Sequence, residues 1–231
     1  MNTLLITSIT VVVLSAGHLT TTKAAAISTF DSGAEGWTVV NFTDLSNNAY
    51  TITGTNSPTF TASGGNPGGY ISSADPDTSD FTFSAPAAFR SGFPTIPGGM
   101  VSYDLTHTGT VDYQTSDVIL EGGGLRLLWQ SSPALNPNSG WTTVSFNLAP
   151  SPQWHLGTTT GALASNSDFA TVLANVSGFY VRGEYTNGLG ETAGVDNVRV
   201  QVPEPSSELL LFLGAAACAH RRSLRRNETM A

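Results

Sequence analysis

Between Ile27 and Val202, apolar side chains return at every second position in short runs that Gly, Pro, Asn and Asp bring to a close. Val144, Phe146 and Leu148 share one face against Thr143, Ser145 and Asn147. Phe179, Val181 and Tyr185 stand against Tyr180, Arg182 and Glu184, and Val198, Val200 and Val202 against Asn197, Arg199 and Gln201. A period of two builds strands with one dry and one wet face. The runs predict strands over 37–42, 49–53, 59–62, 70–73, 81–84, 100–106, 117–121, 125–131, 142–148, 178–185 and 195–202, with turns at the Gly/Pro clusters 64–69 and 93–99. The fold class is therefore all-β, a jelly-roll-like β-sandwich. One helix interrupts it. Ser165-Asn166-Ser167-Asp168 has capping-box spacing, and Phe169, Val172, Leu173 and Val176 follow at i, i+3, i+4 and i+7 before Gly178. This short helix is expected to pack over an edge or open end of the sandwich.

Composition excludes whole classes of chemistry. From Ile27 to Val202 there are fourteen carboxylates, four arginines and no lysine, a net charge of −10. Such a surface repels nucleic acid and anionic lipid, so no nucleic-acid partner is expected. The only cysteine is Cys218, which leaves this stretch without disulfides, a thiol nucleophile or Cys/His zinc sites. Its 176 residues suffice for one buried core.

Both ends carry transport signals. Leu4 to Ala16 is apolar and Ala24-Ala25-Ala26 supplies small residues, which reads as a signal peptide over 1–26, cut after Ala26 by signal peptidase. No basic residue precedes the apolar run, so an uncleaved anchor is the alternative. At the other end Pro203, Glu204 and Pro205 hold the backbone extended, as a processing enzyme requires. An apolar run from Leu209 to Ala219 follows, then Arg221, Arg222, Arg225 and Arg226, which stop translocation. The run is shorter than the roughly 20 residues of a spanning helix. This tail, 203–231, resembles the PEP-CTERM sorting signal of Gram-negative bacteria. The resemblance implies recognition by an exosortase, transient insertion in the inner membrane, and delivery to the cell surface or matrix; a plain membrane anchor is the alternative.

The middle carries a second resemblance. Gly36-Trp37, Gly68-Gly69-Tyr70-Ile71, Phe83-Ser84-Ala85-Pro86 with Phe89, and Val101-Ser102-Tyr103-Asp104-Leu105 occur in order. Val118 to Leu125, Trp154, Val172 to Val176, Arg182-Gly183-Glu184-Tyr185 and Val195-Asp196-Asn197-Val198 follow. Together they resemble the laminin B (laminin IV) domain over 27–202. The resemblance implies a β-sandwich in a matrix or surface protein, similar in outline to carbohydrate-binding jelly rolls, with no catalytic residues.

Two kinds of site are expected. Asp31 near the first strand and Asp196 on the last approach one another if these strands are neighbours, and they are candidate ligands for a structural calcium ion, with Glu35 a third. Anchoring of turns and backbone amides is the alternative for all three. The run Asp75 to Asp80 is a weaker calcium candidate, read as a solvated acidic turn. For a glycan, Arg126, Gln130, Arg182 and Glu184 lie on the predicted wet face, where Asp104 can join them. Trp141 and Trp154 are the candidate aromatic platforms, and Trp37 and Trp129 are assigned to the core. A surface ion-pair cluster is the alternative for the arginines. The expected function is a non-catalytic surface or matrix protein, adhesive or associated with exopolysaccharide. A calcium-supported carbohydrate-binding module and a polysaccharide hydrolase or lyase, which needs two carboxylates, are the alternatives.

Overall fold

The computed structural model describes residues 22–46, 50–75 and 77–203. The strands are β1 (Thr22–Ser28), β2 (Thr38–Phe42), β3 (Ile52–Asn56), β4 (Thr59–Gly65), β5 (Gly68–Ala74), β6 (Asp80–Ser84) and β7 (Met100–Thr108). They continue as β8 (Val118–Gly122), β9 (Leu125–Trp129), β10 (Thr142–Asn147), β11 (Trp154–Leu156), β12 (Val176–Arg182) and β13 (Thr192–Pro203). The helices are α1 (Ala87–Arg90) and α2 (Asn166–Leu173), with a 3₁₀ turn over Pro137–Ser139.

These strands form two antiparallel sheets. The first has the order β10-β7-β13-β5-β4, with β1 also on β13; the second runs β11-β9-β8-β12-β6-β2-β3. The expectation of an all-β sandwich is met, with two short helices rather than one. The neighbour of the last strand is one the sequence did not predict: β1 pairs with the C-terminal half of β13 from Thr22↔Pro203 to Ser28↔Val198, whereas the strand predicted first, 37–42, is β2 of the second sheet. That pairing spans the expected cleavage point after Ala26.

Sheet alternation places the core. Val144, Phe146 and Leu148, then Phe179, Val181 and Tyr185, are buried between the sheets. On β13, Ala193, Val195, Val198 and Val200 all face inward although 195 and 198 differ in parity. The register against β7 slips between Asp196 and Arg199, and Asn197 sits at φ 50°, so a β-bulge restores the phase. Aromatic rings fill the interior: Trp37 meets Phe30, Phe89 and Phe179 edge-on, while Trp129 stacks on Phe146, which meets Trp154.

Helix α2 starts as the sequence predicts. The Ser165 hydroxyl accepts from the Asp168 N–H at 3.2 Å and Asp168 accepts from the Ser165 N–H at 2.9 Å. Phe169, Val172 and Leu173 are buried, packing the helix over the β8–β9 end of the second sheet. It stops earlier than expected. Val176 opens β12 instead of closing the apolar face of the helix.

Candidate functional site

The second sheet carries a small separate core on its outer face: Val40, Phe42, Leu45, Ile119 and Leu128, with Tyr50 and Tyr180 packed against them. A two-residue hairpin aims polar groups at it. Gly123 and Gly124 take φ of 57° and 77°, as a type I′ turn requires, and Gly122 pairs with Leu125. Glu121 therefore faces Arg126 directly across β8–β9, and their side chains pair at 3.4 Å. The Arg126 guanidinium lies 3.6 Å from the centre of the Tyr50 ring, and the Tyr50 hydroxyl donates to Glu121 at 2.6 Å. Phe42 holds both tyrosines edge-on, Tyr50 at 5.0 Å and Tyr180 at 5.2 Å. Burial, followed by the bond to Glu121, pushes the Tyr50 phenol up to about 12, so it stays a donor. Burial lowers the Arg126 value, opposed by Glu121.

Beside this array opens a cavity of about 500 Å³, lined by Tyr50, Glu121, Leu125, Arg126, Leu156 and Ser177 among others. An aromatic ring, a guanidinium and a carboxylate converge on one wall, with leucines beside them. That combination suits a ligand with both C–H faces and hydroxyls. Among the described residues lining the cavity, Glu121 is the sole carboxylate.

The residues expected to bind glycan do not come together. Arg126 is at the cavity, and Gln130, just beyond β9, donates to the Thr115 carbonyl at 3.2 Å. Trp141 is half-buried against Tyr70 near the β4–β5 turn and donates to the Gly64 carbonyl at 2.9 Å. Trp154 is not an exposed platform. It is fully buried, between Phe146 and Phe169, because its strand β11 turns it into the interior. Arg182 and Glu184 are not on a wet face either; they are 1% and 5% exposed. Arg182 pairs with Asp117 at 2.9 Å and stacks on Tyr185 at 3.8 Å. Glu184 lies beyond the end of β12, facing other carboxylates. Asp104, buried on the first sheet, accepts from Thr143 at 2.6 Å and from Asn197 at 3.0 Å. Trp37 and Trp129 are core residues as expected. Tyr50, Glu121 and Tyr180 were not singled out from sequence, although hairpin arithmetic around Gly122-Gly123-Gly124 pairs Glu121 with Arg126.

Asp31 and Asp196 do share a neighbourhood. A β-carbon on Gly68 would collide with the Asp31 carboxylate, and one on its register partner Gly65 would lie 2.6 Å from that of Asp196. Asp196 is fully buried, and both its oxygens accept backbone N–H groups, Asn66 at 2.6 Å and Asn197 at 2.7 Å. Burial raises its pKa despite these bonds, with Asp104 and Asp31 adding to the rise. Thr29 donates to Asp31 at 2.9 Å, and Glu35 accepts the Phe30 N–H at 2.8 Å. Backbone anchoring is thus the visible role of Asp196 and Glu35. The run 75–80 divides its tasks. Asp77 accepts from Asn41 and Ser79, while Asp80 accepts from Leu45 and Tyr113. In the tail, Pro203 closes β13, while Glu204, Pro205, Arg221, Arg222, Arg225 and Arg226 lie outside the described residues, as do residues 1–21.

Residues 82–210, more than half of the chain, match the laminin B (domain IV) family. The chain belongs to that family. Among solved structures it is similar to the L4b domain of human laminin alpha-2, at 13% identity and a TM-score of 0.57, over 78% of this chain and 98% of that one. Looser likenesses are to the family 11 carbohydrate-binding module of the cellulase Lic26A-Cel5E of Clostridium thermocellum and to a carbohydrate esterase of the Shiga toxin-encoding bacteriophage phi24B. The first has 14% identity and a TM-score of 0.45, over 79% of this chain and 97% of that one. The second has 11% identity and a TM-score of 0.44, over 80% and 100%. No curated protein sequence matches the chain.

Proposed function

We propose that this chain is an exported, non-catalytic surface or matrix protein that holds a glycan on the outer face of its second sheet. The observation that carries the proposal is the cavity beside Tyr50, where Arg126 stacks on the ring and Glu121 binds both. A sugar ring can lay its C–H face on the exposed part of the tyrosine and the leucines while its hydroxyls meet Glu121 and Ser177. Membership of the laminin B family supports an extracellular setting. That Glu121 is the single carboxylate among the described residues lining the cavity supports binding over hydrolysis, since glycosidases work with two. The test is calorimetric titration of polysaccharides, the host's own exopolymer included, into the purified chain and into Glu121→Gln and Tyr50→Phe. Loss of a charged hydrogen-bond partner is expected to weaken saturable binding about tenfold in Glu121→Gln. Unchanged isotherms in both folded variants would sink the proposal.

The sorting tail forms the second half of this reading. Glu204 between two prolines, followed by an apolar run and arginines, suits exosortase processing after transient inner-membrane insertion. Glu204→Ala is then expected to leave the precursor in the inner membrane. Normal surface delivery of that variant would mark the tail as an ordinary anchor.

A further inference from the structure

The two sheets meet a second concentration of charge where β5 ends, β12 ends and β13 begins. Asp75 follows β5, Glu184 lies two residues after β12, and Glu191 immediately precedes β13. The Asp75 N–H donates to the Glu191 carbonyl at 3.0 Å, which ties two of the three backbones together. One oxygen from each of the three carboxylates lies within 4.8 Å of the others. Glu184 and Glu191 are 5% and 2% exposed.

What distinguishes this cluster is its unspent valence. Glu191 Oε2 accepts the N–H groups of Tyr185 at 2.9 Å and Thr186 at 3.0 Å and contacts His107 Nε2. Asp75 Oδ1 accepts the Asp77 N–H at 3.2 Å. Of the remaining oxygens, Asp75 Oδ2, Glu184 Oε2 and Glu191 Oε1 are buried and receive no hydrogen bond. Two of these carboxylates are thus oriented by one oxygen while the other stays bare, the arrangement that outer-shell bonds give to metal ligands. Buried carboxylate oxygens left without a donor are costly, and a cation between them would satisfy all three.

We infer that Asp75, Glu184 and Glu191 form a binding site for a divalent cation, Ca²⁺ by its all-carboxylate donor set, that clips the two sheets together at the base of the 185–190 loop. Three carboxylate oxygens within 4.8 Å of one another make an all-oxygen donor set of the kind Ca²⁺ takes from protein, whereas Mg²⁺ keeps several of its waters and uses one or two carboxylates. The second oxygen of Glu191 is held from behind by an imidazole that is itself oriented. The amide nitrogen of Asn138 donates to the Gly109 carbonyl, which turns its Oδ1 toward His107 Nδ1 at 2.6 Å, while Nε2 faces Glu191. The site differs from the one expected at Asp31 and Asp196, where backbone donors already occupy both Asp196 oxygens.

The test is thermal unfolding of the full chain after EDTA treatment, with CaCl₂ or MgCl₂ added back. Ca²⁺ at about a hundred times its dissociation constant is expected to raise the melting temperature by roughly 5–10 °C, and Mg²⁺ by less. Glu184→Gln keeps the side-chain shape and is expected to abolish the shift. Asp75→Asn, at the least buried ligand, is a second route to the same loss, and Asp31→Asn is expected to retain it. No calcium shift in the wild type would overturn the site, leaving Glu184 and Glu191 to share a proton. A shift that survives both Glu184→Gln and Asp75→Asn, or that disappears only in Asp31→Asn, would overturn it equally.

Discussion

Trp154→Ala separates a surface role for this residue from a structural one. The indole is fully buried, edge-on to Phe146 at 5.6 Å and to Phe169 at 5.3 Å, and its Nε1–H donates to the Asn147 carbonyl at 3.0 Å. Burying roughly 200 Å² of aromatic surface at about 25 cal/mol per Å² is worth about 5 kcal/mol, of which alanine keeps about 1. The lost hydrogen bond adds little, because Asn147 lies at an exposed position where water can replace the donor. The expected cost is about 4 kcal/mol, within the range for such truncations. That corresponds to a fall in melting temperature of roughly 8–16 °C for a chain of this size. Urea unfolding followed by tryptophan fluorescence measures it, alongside polysaccharide titration of the folded fraction. Glycan affinity per folded molecule is expected to be unchanged. A variant with wild-type stability and lost glycan binding would refute the burial argument and return Trp154 to the surface.

Two further perturbations probe the frame. Ser165→Ala removes one half of the capping box of α2 and should cost about 1 kcal/mol in chemical denaturation. Hydrogen bonds from Ser165 hold Asp168 below the ordinary carboxylate value of 3.8, so the stability it contributes is present above that value and disappears as pH falls. The variant should therefore lose less stability on acidification than the wild type, and an unchanged acid limb would count against the capping box. Arg182 and Asp117 pair in the interior, each 1% exposed. Asp117→Ala strands a buried guanidinium and should cost about 3–5 kcal/mol, whereas adding Arg182→Met should recover part of the loss. A double variant as costly as the sum of the single ones would show that the pair is not coupled.

The parts of this fold that alternation could find were found, and the misses share one cause. All eleven predicted strands end within three residues of observed ones, because the runs are short and turn residues close them. The run at 178–185 fails at Gly183. A β-carbon there would collide with the Phe81 ring, so only glycine lets the chain close over that ring, and β12 stops at Arg182. Counting faces through that stop put Glu184 on a wet sheet surface, and Arg182, the last residue of β12, was put there with it although it is covered. The structure sends one to a buried pair with Asp117 and the other to Asp75 and Glu191, partners 65, 109 and 7 positions away in sequence. Trp154 failed for a related reason, since β11 has only three residues and no alternation to read. The Tyr50 site was half legible: the glycine hairpin pairs Glu121 with Arg126, but Tyr50 reaches them from 71 positions upstream of Glu121. Local periodicity reports which way a side chain points only while the strand lasts. In this chain the chemically loaded groups cluster where strands end, because there the backbone can turn a carboxylate inward without giving up a core position.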